Sequence, residues 1–456
     1  MSFCIESWQE RLASALYKLE ATQAPYLEKH WQCYGYPATT SFNGKDETPY
    51  PSSDVQDLYD TALRSSNQAE TAYFKALRSA LDPVRGILRS HPAIGSALGR
   101  VAGNDKFMVE IVNGTSLTWL TLLVVGLMER ANELSDNDFE TAAGELGVLL
   151  EASRTSKTIN VPNGMDIGYD VLLFFGPKIE RQIQVEPNLL VVPFAELLDW
   201  VDPDWIRDFL PEQMDRRDWR QIGAIMRPFH WRPHLHQMNR SGERAMQIKP
   251  RFEEEAWSFL ELLAVANQTP IIPFVFIDDC IHRTAFLLLG ISRNSGGRQT
   301  VGNVGKSCDP FREPPKLHQN AIEVALDAFE TRRKPSYQQL APVRRRLAEA
   351  LARDGRFLLD DRILDVSQSI ELMFEIKGTG IGKKIQSAMS DLLAIDSDHS
   401  DEVRKATKQF YDVRSAIVHG PSDDYRKRLM RLRGQAFRSG FNLAQQAYFK
   451  LIHERT

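Results

Sequence analysis

The chain has 456 residues, 43% of them hydrophobic and 25% charged, with 56 Lys and Arg against 60 Asp and Glu for a net charge of −4. That length exceeds what one hydrophobic core usually organises, so two or three domains are expected; the balance excludes a chain basic throughout and confines any nucleic-acid contact to a local patch. Cys4, Cys33, Cys280 and Cys308 stand far apart with no C-x-x-C pair, which argues against a zinc knuckle or disulfide framework and fits a reducing cytoplasm.

The opening segment carries acidic residues and no long apolar core, so it does not read as a signal peptide and a cytoplasmic location is expected. From Glu6 to about Trp31, the residues Trp8, Leu12, Ala15, Leu16 and Leu19 recur at three and four, the amphipathic helical period. A turn-rich stretch with Pro37, Asn43-Gly44, Pro49 and Pro51 precedes a second helical pattern from Asp54 to about Leu88, interrupted at Pro83 and stopping near His91-Pro92. The longest apolar run, Leu117 to Met128, falls short of the roughly 18 residues that span a bilayer. It reads as a buried helix, and no membrane partner is expected. The helical style continues to Leu150, with Ser135 before Asp136 and Asp138 as a helix start.

Between Thr158 and Val192 short apolar runs, Tyr169 to Phe175 and Leu189 to Val192, are bounded by Gly and Pro. They read as a few strands, or as loops over a small satellite core. Trp200 to Trp231, with Pro203 and Pro211, predicts short packed helices. Phe252 to Ala266 and Ile271 to Leu289 predict two helices, or a helix and a buried strand. The polar segment Ser292 to Ser307 and the following Asp309-Pro310-Phe311-Arg312-Glu313-Pro314-Pro315 form the best linker. It divides an N-terminal region, 1–315, of one or two subdomains, from a C-terminal one, 316–456. There, helical patterns run over Leu317 to Thr331, Leu340 to Arg353, Asp360 to Ile376, Lys383 to Leu393 and Asp401 to His419, then Asp423 to about Ile452. The fold class expected is mainly α: a C-terminal helical bundle after a large, mostly helical region with a small β segment.

Three segments invite a chemical reading and support it poorly. In His230-Trp231-Arg232-Pro233-His234-Leu235-His236, Pro233 breaks any helix that would align the imidazoles, and no carboxylate stands at ligand spacing. Thr300-Val301-Gly302-Asn303-Val304-Gly305-Lys306-Ser307 ends like a phosphate-binding loop but has Thr300 where that loop needs glycine, and Cys308-Asp309-Pro310 where a helix should follow. Asp278-Asp279 reads as a helix start or polar turn. No metal and no cofactor is expected.

The stronger signal is Tyr411-Asp412-Val413-Arg414-Ser415-Ala416-Ile417-Val418-His419-Gly420-Pro421. Five residues turn a helix through about 500°, so Arg414 and His419 point roughly 140° apart. A joint site needs either a helix end that departs from ideal geometry or two copies meeting across a twofold axis. Gly420 and Pro421 are a helix stop. Arginine offers the forked cation that matches phosphate, and histidine is the side chain suited to moving protons near neutral pH. Together they fit metal-free RNA cleavage; a capping histidine beside a surface arginine fits the same spacing.

This string, preceded by Asp360-Asp361-Arg362-Ile363-Leu364-Asp365-Val366 and Ser369-Ile370-Glu371-Leu372-Met373-Phe374, resembles the ApeA-like branch of the HEPN superfamily, whose ribonuclease members carry an R-x4-6-H motif. The resemblance covers about 317–456. It implies an all-helical domain, catalysis by Arg414 and His419 with Tyr411, Asp412 and Ser415 in support, RNA as substrate without a metal, and a homodimer through this bundle. It further implies the toxic effector of a bacterial abortive-infection system, with 1–315 as a sensor or inhibitory region answering a phage-derived trigger. Many catalytic members have Asn, Asp or His after the arginine, where this chain has Ser415. The alternative reading is a catalytically inactive HEPN module for dimerisation or RNA binding. After the motif Arg426, Lys427, Arg428 and Arg431 outnumber the acids, the local patch an RNA backbone requires; a solvated helix face would look the same.

Overall fold

The computed structural model describes residues 3–34, 72–102, 120, 123–134, 138–154, 165, 167–201, 221–230, 249–289, 298–300, 315–353, 358–376, 378–420 and 424–454. The architecture is mainly helical, with one antiparallel sheet in the middle of the chain and a helical C-terminal region.

Helices α1 (Ile5–Tyr34), α2 (Ala72–Ser90), α3 (Pro92–Ala102) and α4 (Phe139–Arg154) form a first helical layer with the helical run 123–133. The apolar stripe of α1, with Trp8, Leu12, Leu16 and Leu19 at 0% exposure, packs against Leu77, Leu81, Val84 and Leu88 of α2. Trp8 Nε1 donates to the Ile87 carbonyl at 2.8 Å, which satisfies the one polar atom that burying an indole strands. Pro83 lies inside α2 rather than ending it, and α2 stops at Ser90 as the His91-Pro92 pair dictates. The start of α4 is set by Asp138, whose Oδ1 accepts from the Thr141 backbone N–H at 2.9 Å. Residues Ser135 and Asp136 lie outside the described residues.

The sheet contains β1 (Ile167–Phe175), β2 (Ile183–Glu186), β3 (Leu189–Pro193), β4 (Ile222–His230), β5 (Ile272–Ile281) and β6 (Arg298–Thr300), in the order β2-β3-β4-β1-β5-β6. Its paired neighbours run antiparallel. The period of two sorts β1 between its faces: Leu172 and Phe174 face α5 (Lys249–Asn267), whereas Val171, Leu173 and Phe175 join Phe194, Leu197 and Val201 on the other side. Both faces are covered, which is why β1 reads as a continuous apolar run rather than an alternating one.

Two expectations are corrected here. Ile222–His230 is a strand where short packed helices were predicted, because Ile222, Ala224, Ile225 and Met226 pair along β1 and bury there. Gly223 permits the closeness, since a Cβ at that position would lie 2.4 Å from the Phe174 ring. Asp278 and Asp279 lie within β5 and not at a helix start. Tyr169 pairs with Cys280 and Val171 with Ile277, so both aspartates oppose one residue, Asp170, as a β-bulge. The stretch Ile271 to Leu289 is therefore strand β5 followed by the short helix α6 (Arg283–Leu289).

The C-terminal helices are α7 (Gln319–Glu330), α8 (Pro335–Gln339), α9 (Ala341–Ala352), α10 (Leu359–Met373), α11 (Ile381–Leu393), α12 (Ser397–His419), α13 (Asp424–Arg431) and α14 (Arg433–Glu454). The pattern read as one final helix is thus two, broken at Leu432, where Arg433 donates Nε to the Met430 carbonyl and sends Nη1 to Asp360 on α10 at 2.7 Å. One apolar core runs from Leu172 and Phe174 of the sheet, through Phe252, Phe259 and Leu263 of α5, into Phe329, Leu347, Ile370, Phe410 and Tyr448 of these helices.

Candidate active site

Helix α12 presents the Arg414/His419 pair. Its start, four residues earlier than expected, is capped by Asp396, whose carboxylate accepts from the His399 backbone N–H at 2.8 Å. Its end is Gly420, at φ +75° in the left-handed region that glycine adopts without steric cost. Phe410, Val413 and Ala416 form its buried stripe.

That stripe sets the orientation of everything polar. Tyr411 is buried and donates its hydroxyl to the Ser367 carbonyl of α10 at 3.2 Å. Arg414, one turn further on, is half-buried and reaches Glu371 of α10, Nη2 to Oε1 at 3.4 Å. Burial pushes the Tyr411 phenol above its ordinary range, Glu371 adds to that, and Arg414 opposes it. Arg414 Nε is buried without a hydrogen-bond partner, so its guanidinium retains donor capacity that Glu371 leaves unused.

His419 is exposed at the last position of α12 and makes no hydrogen bond or ion pair among the described residues. Arg414 faces α10, and the two residues do not share a face of their helix. Ser415 and Asp412 are half-buried beside Arg414. On α13, Arg428 and Arg431 are exposed, Lys427 is exposed with its ammonium 3.3 Å from Asp424, and the Arg426 side chain lies outside the described residues. Leu429 and, partly buried, Met430 pack α13 onto the core.

The two upstream blocks supply contacts rather than further chemistry. Asp360 holds Arg433; Arg362 lies 4.1 Å from the Phe437 ring centroid and donates Nε to the Ala350 carbonyl; Asp365 pairs with Arg353 at 2.7 Å. Glu371 of that set pairs with Arg414 of the motif. The signal for Glu371 lies in the spacing: Ser367 and Glu371 are four apart on α10, Tyr411 and Arg414 three apart on α12, and such pairs share a helix face.

Among the described residues no three His, Cys, Asp or Glu side chains form a metal-binding group, and no helix is long and apolar enough to cross a membrane. His234, His236 and Lys306 lie outside the described residues. Comparison of the chain with protein-family models, curated proteins and solved structures finds no match.

Proposed function

We propose that the chain is a metal-independent endoribonuclease of the HEPN kind, acting in the cytoplasm as the toxic effector of an anti-phage abortive-infection system, with residues 1–315 as the sensor that answers a phage-derived trigger. The observation that carries the reading is the arrangement on α12: a half-buried Arg414 with an unpartnered Nε, and an exposed His419 on a glycine-terminated helix end.

In this reading an RNA 2′-hydroxyl attacks its own phosphate. The 2′-oxygen–phosphorus bond forms and the 5′-oxygen–phosphorus bond breaks, leaving a cyclic phosphate and a 5′-hydroxyl. His419 moves the proton from nucleophile to leaving oxygen, and Arg414 neutralises the charge that builds on the phosphoryl oxygens. Because the two side chains diverge on one helix, a homodimer that pools two helix ends supplies the joint site. Arg426, Lys427, Arg428 and Arg431 bind the RNA backbone beside it.

A catalytically silent RNA-binding or dimerisation module is the second reading, and the Arg414–Glu371 contact favours it, since a carboxylate on the guanidinium competes with phosphate. Total RNA incubated in EDTA with the native chain, Arg414→Ala and His419→Ala separates the two. The nuclease reading expects cyclic-phosphate ends, reduced by about 100-fold or more in each variant. Intact RNA with the native chain, or equal cleavage by all three, would overturn it.

A further inference from the structure

Away from α12, the mouth between α5 and the α8–α9 pair opens into a cleft of about 1130 Å³, slightly larger than the usual small-molecule site. Its charges are sorted onto two walls. Arg332, Arg333, Arg344 and Arg345 come from the turn after α7 and from α9, where Glu349 is the one carboxylate among the lining residues, and Glu253, Glu254, Glu255 and Glu261 come from α5. Trp257 and Pro273 contribute apolar surface between them.

The basic wall is built rather than incidental. Arg344 has a side chain 6% exposed, its Nε bonds Glu261 Oε2 at 2.8 Å, and its guanidinium lies 4.6 Å from the Tyr337 ring centroid. Tyr337 is itself fixed by a hydrogen bond to Ser258 of α5. Arg344 Nη1 is nonetheless buried without a partner. The acceptor beside it is Tyr448 of α14, whose hydroxyl feels both the Arg344 charge and a hydrogen bond from that side chain, too poorly aligned to satisfy Nη1 in full. Arg332 lies over the Phe329 ring and pairs with Glu186 of β2. A donor so fully withdrawn from water costs free energy unless an acceptor reaches it.

The remaining charges stand open. Arg333 is exposed without an ion-pair partner among the described residues, and Arg345, with a side chain 72% exposed, touches only the far oxygen of Glu261 at 3.6 Å. Opposite them, Glu253 and Glu254 have no ion-pair partner either. Burial and the neighbouring Arg333 both hold the Arg332 guanidinium below its ordinary range, a repulsion that an anion between them would relieve. A purely anionic ligand would meet the free carboxylates of α5, and a purely cationic one the arginines. Only a molecule with both ends matches both walls.

We propose that this cleft binds a dipolar organic ligand, with an oxyanion held by Arg333, Arg344 and Arg345, a flat apolar body against Trp257, and an ammonium-type group held by Glu253 and Glu254. The assignment is independent of the ribonuclease reading. Because α5 lies on the sheet and Tyr448 belongs to α14, the ligand sits where the sheet layer meets the C-terminal helices.

Three probes test it on the full chain by thermal shift and titration calorimetry: tyramine phosphate, which carries phosphate, ring and ammonium, and its halves, phenyl phosphate and tyramine. The expected result is a saturable rise in Tm with tyramine phosphate and at least about tenfold weaker binding of each half, since a lost charge-assisted contact costs at least one decade. Arg333→Ala with Arg345→Ala, both exposed and outside the core, weakens tyramine phosphate at least about tenfold and leaves tyramine unchanged. Glu253→Gln with Glu254→Gln reduces tyramine phosphate to the affinity of phenyl phosphate. No saturable binding of any probe, or equal binding of all three in native and variant chains, overturns the proposal.

Discussion

His91 is the side chain in the first helical layer with the most to lose from a change of pH. It is 0% exposed, packs edge-on against Trp8 and Phe3, and its Nδ1 accepts from the Ala93 backbone N–H at 3.2 Å, capping α3. Burial lowers its pKa from 6.5 to about 4; Glu151, 3.6 Å away, opposes the shift and Arg154 adds to it. The sign follows from linkage: an unfolded histidine binds its proton below about 6.5, the folded one only below about 4, so acid favours the unfolded chain between those values. The loss amounts to about 3 kcal/mol across the window. Melting curves from pH 7 to pH 4 should therefore show a fall in Tm, and His91→Asn, which keeps a capping acceptor but cannot titrate there, should start lower and fall less. An unchanged slope in the variant would place the acid sensitivity elsewhere.

At the scale of elements, the bundle that carries Arg414 is closed by the crossing of α12 and α14. Gly440 faces Phe410, and a Cβ there would lie 2.2 Å from Phe410 Cδ2. Phe410 is 1% exposed and rests against Tyr411, so it has little room to give. Gly440→Ala therefore sets about 1 kcal/mol of helix propensity against about 1 to 3 kcal/mol of overpacking. A net loss in urea denaturation is expected; a gain would mean that the two helices tolerate more separation than this crossing implies. Such elements were legible because their stripes recur at the helical period: the bounds of α7, α9 and α11 fall within two residues of them, whereas α10 stops three residues short and α12 starts four residues early. Strand β4 was not, since its apolar residues follow a stretch of Trp, Arg and Asp that reads as helix, and β5 was blurred by the bulge at Asp278-Asp279. The break at Leu432 escaped because the nearby Gly434 falls inside α14 and not at a helix stop; what marks the break is a tertiary contact, Arg433 with Asp360. The ionic pairing of Arg344 with Glu261 escaped for the same reason, as 83 residues separate the partners.

For the whole molecule, the decisive feature is that the sheet, α5 and the C-terminal helices share one apolar core. Helix α5 is its hinge pin: Phe252 meets Phe276 of β5 with ring centroids 5.8 Å apart, while Phe259 meets Phe329 of α7 edge-to-face with centroids 5.4 Å apart. Polar contacts repeat the connection, with Asn267 accepting from His318 N–H and Gln445 of α14 donating to the Val265 carbonyl at the end of α5. Cooperative unfolding follows shared burial, because exposing one half of a contact exposes the other. Phe259→Ala should cost about 3 to 5 kcal/mol, the ordinary price of deleting a buried phenyl ring. Its effect should not stay within α5: amide exchange should rise in α7 and α9 as well, which lie beyond residue 316. Exchange that rises in α5 and the sheet while the amides of 321–352 keep their protection would show that the C-terminal helices fold as a separate unit despite the shared core.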